Sequence, residues 1–296
     1  MSIGGTVRIW GEMVKFSHSV FALPFALIGM FAAGRHRPER LPSVTQGLLI
    51  LLCMVAARSF AMTFNRIVDA DIDARNPRTE TRPIPAGRIS RREAWIFTAC
   101  WAILFVLGCA GFLMLCDNRW PLLLAAPTLA CLAAYSYTKR FTVAAHFVLG
   151  AIIAFAPTAA WIAIHPASLG LPAILLTAGV MFWIAGFDII YACQDVEVDR
   201  RERLFSIPSA IGIRRALWMS RACHFFTIVL LASLGSTLHL GWVYAAGWAV
   251  VTGLLIAEQF VVRPDDLSKV NLAFFTLNGC VSLLFGLTAI SDLIMH

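Results

Sequence analysis

Amide and carboxylate side chains recur at a spacing of four residues in one polar segment of the chain. Asn65, Asp69 and Asp73 occupy positions i, i+4 and i+8. On one α-helix such positions drift by only about 40° per step, so the three side chains would line one face over about 12 Å. Asp71 falls on another side of that helix. The spacing therefore predicts a row of oxygen ligands at one end of a helix.

A second acidic segment repeats this spacing more than a hundred residues later. Asp195 and Asp199 are again four residues apart, and Tyr191 lies four residues before Asp195. Asp188 precedes Asp195 by seven residues, which places both on the same face of a regular helix. The chain thus contains two acidic motifs with the same period.

Two rows of hard oxygen ligands suit Mg²⁺, which is usually bound by one or two carboxylates, waters and substrate phosphates. Such ions neutralise a diphosphate and stabilise the charge that develops when it leaves. Guanidinium groups are suited to bidentate phosphate contacts. Five arginines follow or flank the acidic residues: Arg66, Arg78, Arg82, Arg200 and Arg201. The residues predict a magnesium-dependent diphosphate site.

Other functions are compatible with acidic residues at helix ends. They can belong to a solvated loop balanced by arginines, but the repetition of one spacing in both segments favours a shared role. A cation or proton transporter also uses carboxylates within the membrane. Transport sites usually lie near the middle of the membrane, whereas these acids cluster at one predicted face. The compact acidic run of CDP-alcohol phosphotransferases is absent from the sequence.

The elements that position these residues are predicted to be membrane helices. Hydrophobic residues make up 59% of the 296-residue chain and charged residues 14%, compared with about a quarter charged in soluble domains. Apolar stretches of about 20 residues, enough to cross the hydrocarbon core, occur nine times: 17–34, 44–64, 94–115, 120–138, 142–164, 171–192, 215–238, 240–262 and 271–293. This predicts an all-α, polytopic membrane bundle in one domain, residues 1–296.

The net charge of +7 is concentrated in alternate loops. The segments 66–92, 139–140 and 200–221 are basic, and the positive-inside rule places them in the cytoplasm together with both acidic motifs. The loop at 35–40 is an exception, because it carries three arginines on the predicted outer side. The eight cysteines are scattered without a CxxC pair or zinc spacing, which predicts packing roles.

Taken together, these motifs resemble those of the UbiA superfamily of intramembrane prenyltransferases. The N-x3-D-x3-D segment is followed by an Arg-Pro-x-Pro-x-Gly turn at 82–87, and the second acidic motif reads D-x6-D-x3-D. Between them lies a Tyr-x-x-x-Lys-Arg loop at 135–140, and the segment 15–24 resembles the first span of the superfamily. Within the superfamily the chain is particularly similar to 4-hydroxybenzoate polyprenyltransferase-like proteins.

The resemblance implies nine helices around a central cavity that opens to the bilayer. It implies Mg²⁺ ligands from both motifs, with Asp188 in support: Asn65, Asp69, Asp73, Asp195 and Asp199. It also implies diphosphate contacts, for which the candidates are Arg66, Arg82, Lys139 and Arg201. Lys15 would meet the carboxylate of an aromatic acceptor, and His18 lies one helical step away.

The expected reaction transfers a polyprenyl group from a diphosphate to 4-hydroxybenzoate or a related precursor of ubiquinone or menaquinone. Tyr137 and Tyr191, with Phe182 or Trp183, would shelter an allylic cation. Asp195 or the released diphosphate would then accept the ring proton. The expected partners are the two substrates and the lipid of a bacterial inner membrane, without nucleic acid. Haem O, chlorophyll and archaeal lipid synthases of the same superfamily are the alternatives.

Overall fold

The computed structural model of the chain describes residues 3–14 and 19–295, most of which are helical. The α-helices are α1 Ile3–Val14, α2 Ser19–Gly34, α3 Val44–Val68, α4 Ala70–Asp73, α5 Arg91–Cys116, α6 Trp120–Thr138, α7 Ala145–Ile164, α8 Leu171–Ala192, α9 Val196–Arg201, α10 Ile207–Ile211, α11 Ile213–Thr237, α12 Trp242–Val261 and α13 Asn278–Met295. Short 3₁₀ turns occupy Pro166–Ser168 and Cys193–Asp195, and a π-helix, Leu272–Leu277, leads into α13.

Eight of these helical segments are long and apolar enough to cross a membrane. The apolar part of α2, Phe21–Gly34, is shorter. Large apolar side chains cover the outside of the helices, and Met114, Trp242 and Phe260 are each at least 75% exposed. The prediction of an all-α membrane bundle with about nine spans is confirmed, and the chain is an integral membrane protein. Its predicted central cavity and single-domain organisation stay predictions.

The chain forms two compact units. The first consists of the described residues up to Ser19 together with Leu48–Thr138. One core cluster of this unit is formed by Met13, Ile67, Ala70, Ile84, Ile89 and Ala94. It includes a residue of α1, a helix that was not predicted from the sequence. Trp10 of α1 stacks on Phe97 of α5 with ring centroids 4.1 Å apart, and Met13 is fully buried in this cluster.

Small residues bring α3 and α5 close together in the same unit. A Cβ added at Gly108 would lie 2.8 Å from Cys53 Sγ, and one added at Gly111 would lie 2.8 Å from a methyl carbon of Leu49. Close approach through small residues is a common way for membrane helices to pack. This packing holds the first half of α3, the helix whose other end carries the first acidic motif.

The second unit consists of Val20–Gly47 and the described residues from Lys139 onward. Helix α8 is its most enclosed span. A Cβ at Gly150 of α7 would lie 2.6 Å from the carbonyl oxygen of Met181, so α7 and α8 are in near backbone contact. On another side of α8, Thr227 Oγ1 of α11 donates to the Gly179 carbonyl at 3.2 Å. The second acidic motif begins on this tightly held helix.

A buried polar chain joins α8, α12 and α13. Trp183 Nε1 donates to Asn278 Oδ1 at 2.7 Å, and Asn278 Nδ2 donates to Glu258 Oε1 at 2.9 Å. The same amide nitrogen also lies 3.0 Å from the carbonyl oxygen of Ala273 within the π-helix. Asn278 and Glu258 are fully buried. These bonds supply partners to polar groups that lipid cannot satisfy.

The basic loop at 35–40, which departs from the charge rule, has structural partners. Arg35 Nη1 donates to the carbonyl of Leu238, which follows the last residue of α11, at 3.0 Å. Arg37 bonds to Gln46 and lies 3.4 Å from Glu39. A cation at a helix C-terminus meets the negative end of the helix dipole. Two of the three arginines are therefore engaged in packing and capping contacts.

Candidate active site

The first acidic motif crosses a break between two helices. Helix α3 ends at Val68 and α4 begins at Ala70. The amide of Asp69 nevertheless donates to the Asn65 carbonyl at 2.9 Å, and the amide of Asp73 donates to the Asp69 carbonyl at 2.8 Å. Because helical bonding continues through the break, the predicted i, i+4, i+8 relation is kept. Asp69 and Asp73 are only 2% and 4% exposed.

Side-chain contacts tie this motif to the arginines that the sequence analysis assigned to phosphate. Asn65 Nδ2 donates to Asp69 Oδ2 at 3.1 Å. Arg82 Nη1 lies 2.7 Å from both carboxylate oxygens of Asp73, and Arg66 Nη1 is 3.9 Å from the same group. The structure thus brings the predicted metal ligand Asp73 together with the predicted phosphate contact Arg82.

The loop after α4 carries Arg82 back to the motif. Thr79 Oγ1 donates to the Asp73 carbonyl at 3.0 Å, which closes the first turn of the loop. Ile84 is buried in the cluster around Met13. Gly87 has a φ of +68°, a left-handed conformation that glycine adopts without strain. The Pro- and Gly-containing turn therefore anchors its isoleucine in the core while its arginine faces Asp73.

An arginine inside the third helix is not among the site residues predicted from the sequence. Arg58 lies seven residues before Asn65, so both are on nearly the same face of α3. Its Nε atom is buried and has no hydrogen-bond partner within the described part of the chain. A charged residue inside a membrane span is costly and generally functional. The signal for this residue in the sequence is that a charged side chain interrupts an otherwise apolar span.

Tyr137, a predicted shelter for the cation, also belongs to the first unit. Its ring meets Phe64 of α3 edge-on at 6.3 Å, and it is 42% exposed. Phe64 in turn contacts Trp95 edge-on at 5.5 Å. The end of α6 thus presents an accessible aromatic group beside the helix that carries Asn65.

The second acidic motif is less regular than its spacing predicts. Asp188 lies in α8, Asp195 ends the 3₁₀ turn Cys193–Asp195, and Asp199 lies in α9. A 3₁₀ turn has 3.0 residues rather than 3.6. The turn therefore rotates Asp195 and Asp199 away from the face that a continuous α-helix would give them relative to Asp188.

A histidine that the sequence analysis missed binds the first residue of this motif. His146 Nδ1 lies 2.7 Å from Asp188 Oδ2. The amide of Ile207 donates to His146 Nε2 at 3.2 Å. Since Nε2 accepts this bond, the proton of the neutral ring resides on Nδ1 and is donated to Asp188. A lone histidine at the start of an apolar span was its only signal in the sequence.

The other predicted residues of the second unit lie at the same end of its helices. The Lys139 carbonyl accepts from the Phe205 amide at 2.7 Å. Arg201 is 58% exposed and lies 3.5 Å from Glu202. The ring of Tyr191 packs on Phe274 with centroids 4.2 Å apart. Lys139 is thus linked to the chain beyond Asp199 through its backbone, and Tyr191 to an aromatic cluster.

Two further predictions concern aromatic groups and the acceptor. Trp183 is 1% exposed and contacts Phe25 and Phe187, so it is a core residue. Phe182 packs against Phe226 at 5.3 Å. Lys15 and His18, the predicted acceptor contacts, lie outside the described residues.

The donor set can be compared with what a magnesium ion requires. Among residues 3–14 and 19–295, no three His, Cys, Asp or Glu side chains converge to hold a metal by themselves. Mg²⁺ commonly takes only one or two carboxylates and completes its shell with water and substrate phosphates. The side-chain oxygens that Asn65 and Asp69 carry, and the acids of the second motif, fit this ion in chemical type.

Comparisons with known proteins agree over most of the chain. The profile of the UbiA prenyltransferase family matches residues 22–279. A 4-hydroxybenzoate octaprenyltransferase of Nitrosomonas europaea is 30% identical over 268 residues, which cover 88% of this chain and 85% of that protein. The enzyme of the same name from Methylococcus capsulatus is 28% identical over 250 residues, or 84% and 82% of the two chains.

Solved structures of similar fold extend the comparison. The apo structure of a UbiA homologue from Aeropyrum pernix superposes with a TM-score of 0.82 at 31% identity, covering 93% of this chain and 98% of that one. A UbiA homologue from Archaeoglobus fulgidus, bound to DMAPP and Mg²⁺, superposes with a TM-score of 0.70 at 21% identity, covering 97% and 99%. The second likeness concerns the fold alone.

Proposed function

Because the chain belongs to the UbiA prenyltransferase family, we propose that it transfers a polyprenyl group from its diphosphate to an aromatic acid such as 4-hydroxybenzoate. The observation that carries this proposal is the row of Asn65, Asp69 and Asp73, in which both carboxylates are buried and Arg82 is bound to the last one. The names of the relatives from Nitrosomonas and Methylococcus support the acceptor class.

The two acidic motifs act, in this proposal, on one diphosphate. The residues that would hold Mg²⁺ are Asn65, Asp69, Asp73, Asp195 and Asp199, with Asp188 in support. The Archaeoglobus homologue with its bound DMAPP and Mg²⁺ supports Mg²⁺ and a prenyl diphosphate as the ligands. Bound Mg²⁺ would neutralise the diphosphate and stabilise it as a leaving group. Arg66, Arg82, Lys139 and Arg201 would contact the phosphate oxygens.

Arg82 has two roles in this scheme. It donates to both oxygens of Asp73, so this buried carboxylate has a cationic partner. A phosphate oxygen is an equally good acceptor for the planar guanidinium. When the diphosphate binds, Arg82 would therefore share its donors between substrate and carboxylate, and Asp73 would become available as a ligand.

The reaction follows from the chemistry of an allylic diphosphate. The bond between the allylic carbon and the diphosphate oxygen breaks, and the electron pair leaves with the diphosphate. Tyr137 and Tyr191 would shelter the resulting cation, and each such contact would contribute about 0.5–2 kcal/mol. The ring carbon ortho to the phenol of the acceptor forms the new C–C bond. Its proton passes to the Asp195 carboxylate or to the released diphosphate.

The acceptor carboxylate requires a cation. Arg58 supplies one within the membrane, and its buried Nε lacks a partner among the described residues. We therefore assign Arg58, together with Lys15, to the acceptor carboxylate. The protein would reside in a bacterial inner membrane with its acidic motifs at the cytoplasmic side, where Mg²⁺ and the soluble aromatic acid are available.

Incubation of the purified protein with Mg²⁺, geranyl diphosphate and a panel of aromatic acids, followed by product mass, tests the proposal. Asp69→Ala and Asp195→Ala are expected to lower turnover by at least about 10²-fold, because each removes charge stabilisation of the leaving group. Both variants should remain membrane-inserted.

The matched control is Asp71→Ala. Asp71 lies in the same segment but its side chain is 71% exposed and paired with Arg91, so its loss should leave turnover within about twofold, as for most surface substitutions. Wild-type turnover by Asp69→Ala, or full activity in the presence of a chelator, would contradict the proposal. Absence of product with coupled cation flux would favour the transporter alternative.

A further inference from the structure

His146 joins three elements of the second unit through two hydrogen bonds. It is the second residue of α7, and its ring contacts Asp188 of α8 at 2.7 Å and the amide of Ile207, the first residue of α10, at 3.2 Å. The residue is only 5% exposed. Both ring nitrogens are therefore engaged, and the ring plane is fixed by groups on opposite sides of it.

This geometry distinguishes a positioning group from a metal ligand. A histidine binds a metal through a nitrogen lone pair, and the lone pair of Nε2 already accepts the Ile207 N–H. Nδ1 carries the proton donated to Asp188. The ring thus orients one carboxylate oxygen of Asp188, and the other oxygen remains for a further contact. Asp188 is partly accessible, with 22% of its side chain exposed.

The elements on both sides of His146 are firmly held. One turn further along α7, Gly150 allows near backbone contact with Met181 of α8. Ser206 caps α10 and forms a reciprocal capping box with Ser209. Because of these features, the distances from the start of α7 to Asp188 and to Ile207 can vary little.

The segment that precedes Ile207, one of the two partners of His146, is itself hydrogen-bonded to Asp199 and Lys139. The Leu204 amide donates to the Asp199 carbonyl, and the Phe205 amide donates to the Lys139 carbonyl, both at 2.7 Å. These bonds fix the segment directly before Ile207. His146 therefore connects Asp188 with the segment that is bonded to Asp199 and Lys139.

We propose that His146 is a positioning residue that orients the Asp188 carboxylate toward a bound metal–diphosphate and sets the α10 segment against the second acidic motif. This inference rests on the function proposed above. Partners that orient a ligating carboxylate or histidine typically contribute 10–100-fold to metal affinity or activity. Loss of the His146 ring is expected to have an effect of about that size.

The test compares His146→Ala and His146→Asn with His165→Ala, which changes the histidine that follows the other end of the same helix. Asparagine keeps an N–H donor near the position of Nδ1. Binding of Mn²⁺ in the presence of inorganic pyrophosphate is measured by electron paramagnetic resonance, without any prenyl substrate. The KM and kcat for geranyl diphosphate, and the thermal unfolding midpoint, are measured in parallel.

His146→Ala is expected to weaken Mn²⁺–pyrophosphate binding by about 10–100-fold, with a matching rise in KM and a smaller change in kcat. His146→Asn should recover part of this loss, and His165→Ala should bind as the wild type does. Combining His146→Ala with Asp188→Ala should add little to the loss caused by Asp188→Ala alone, since the two residues act as one unit.

Wild-type binding by His146→Ala overturns the inference, and so do additive losses in the double variant. If His146→Ala does not fold, His146→Asn decides, because unchanged binding with a lower unfolding midpoint would make the role structural. Failure of the proposed function is recognised separately. In that case the wild-type protein forms no prenylated product with any acceptor, whereas the binding measurement still reports on His146.

Discussion

At the scale of single residues, two arginine–carboxylate pairs in the first unit differ in their access to water. Arg82 and Asp73 meet at 2.7 Å with side chains 20% and 5% exposed. Arg88 and Glu12 also meet at 2.7 Å, but their side chains are 37% and 39% exposed. Exposed pairs contribute only about 0–1 kcal/mol, whereas an unpaired buried charge is costly.

Arg82→Gln is therefore expected to lower the free energy of unfolding by about 1–3 kcal/mol, because it leaves the Asp73 carboxylate with Arg66 alone at 3.9 Å. It should also raise the KM for the prenyl diphosphate. Arg88→Gln is the control and should change stability by less than about 1 kcal/mol. Thermal unfolding in detergent measures both. Equal losses of unfolding free energy in Arg82→Gln and Arg88→Gln would contradict the argument that burial makes the Arg82–Asp73 pair the more important one.

A second prediction at this scale concerns Arg58. If its guanidinium binds the acceptor carboxylate, Arg58→Gln should raise the KM for the aromatic acid by about tenfold or more, equivalent to about 1.4 kcal/mol. The KM for geranyl diphosphate should change far less. Lys15→Gln, measured in the same way, shows how much Lys15 contributes to the KM for the acid. An unchanged KM for the acid in both variants would exclude them as acceptor contacts.

The sequence predicted the acidic residues but not their partners, for a physical reason. Spacing along one segment places Asn65, Asp69 and Asp73 relative to each other, because helical bonding is local. The partners His146 and Asp188 are 42 residues apart, and their meeting depends on how α7 packs on α8. No local pattern contains that information.

At the scale of helices, the contact between α7 and α8 decides how the second motif is held. Gly150→Ala would place a methyl group 2.6 Å from the carbonyl oxygen of Met181, which is backbone and cannot rotate away. Overpacking of this kind costs about 1–3 kcal/mol. The two helices would move apart, and the His146–Asp188 bond one turn away would lengthen.

The expected result is a lower thermal unfolding midpoint together with weaker turnover. Gly253→Ala is the matched control, since the added Cβ meets no described atom within 4 Å. It should leave both properties unchanged or raise stability slightly, because alanine is the better helix former. A Gly150→Ala protein as stable and active as the wild type would show that α7 and α8 can adjust without cost.

Helix boundaries were predicted well where hydrophobicity alone determines them. The predicted spans 120–138 and 171–192 coincide with α6 and α8. Helix α1 was missed because its buried residues, such as Met13, alternate with polar ones and do not form a long apolar run. The interruptions at Asp69 and at Cys193–Asp195 were also missed, since hydrophobicity does not distinguish a continuous helix from a turn.

At the scale of the whole molecule, the distribution of charge predicts its orientation in the membrane. The segment 200–221 should face the cytoplasm, and the loop at 35–40 should face the opposite side. Glu39 and Arg203 are exposed positions in these two segments. Substituted by cysteine in a background free of the eight native cysteines, they should react with an impermeant maleimide from opposite sides.

Arg203→Cys is expected to be labelled only in inside-out vesicles, and Glu39→Cys only in vesicles of the native orientation. Labelling of both positions from one side would contradict an odd number of spans between them. Reversed labelling would place the acidic motifs outside the cytoplasm. The predicted orientation depends on counting loop charges, so it is independent of the contacts within either unit.

The short helix α2 has a further consequence for how the protein is made. Its 16 residues span about 24 Å, less than the roughly 30 Å hydrocarbon core. Phe25 of this helix contacts Trp183 of α8, whereas another of its contacts is with the helix that is synthesised last, because Ser282 of α13 donates to the Phe21 carbonyl. Part of α2 therefore stays uncovered until α13 has been synthesised, and a chain shortened by this final helix would leave that part exposed to quality-control proteases.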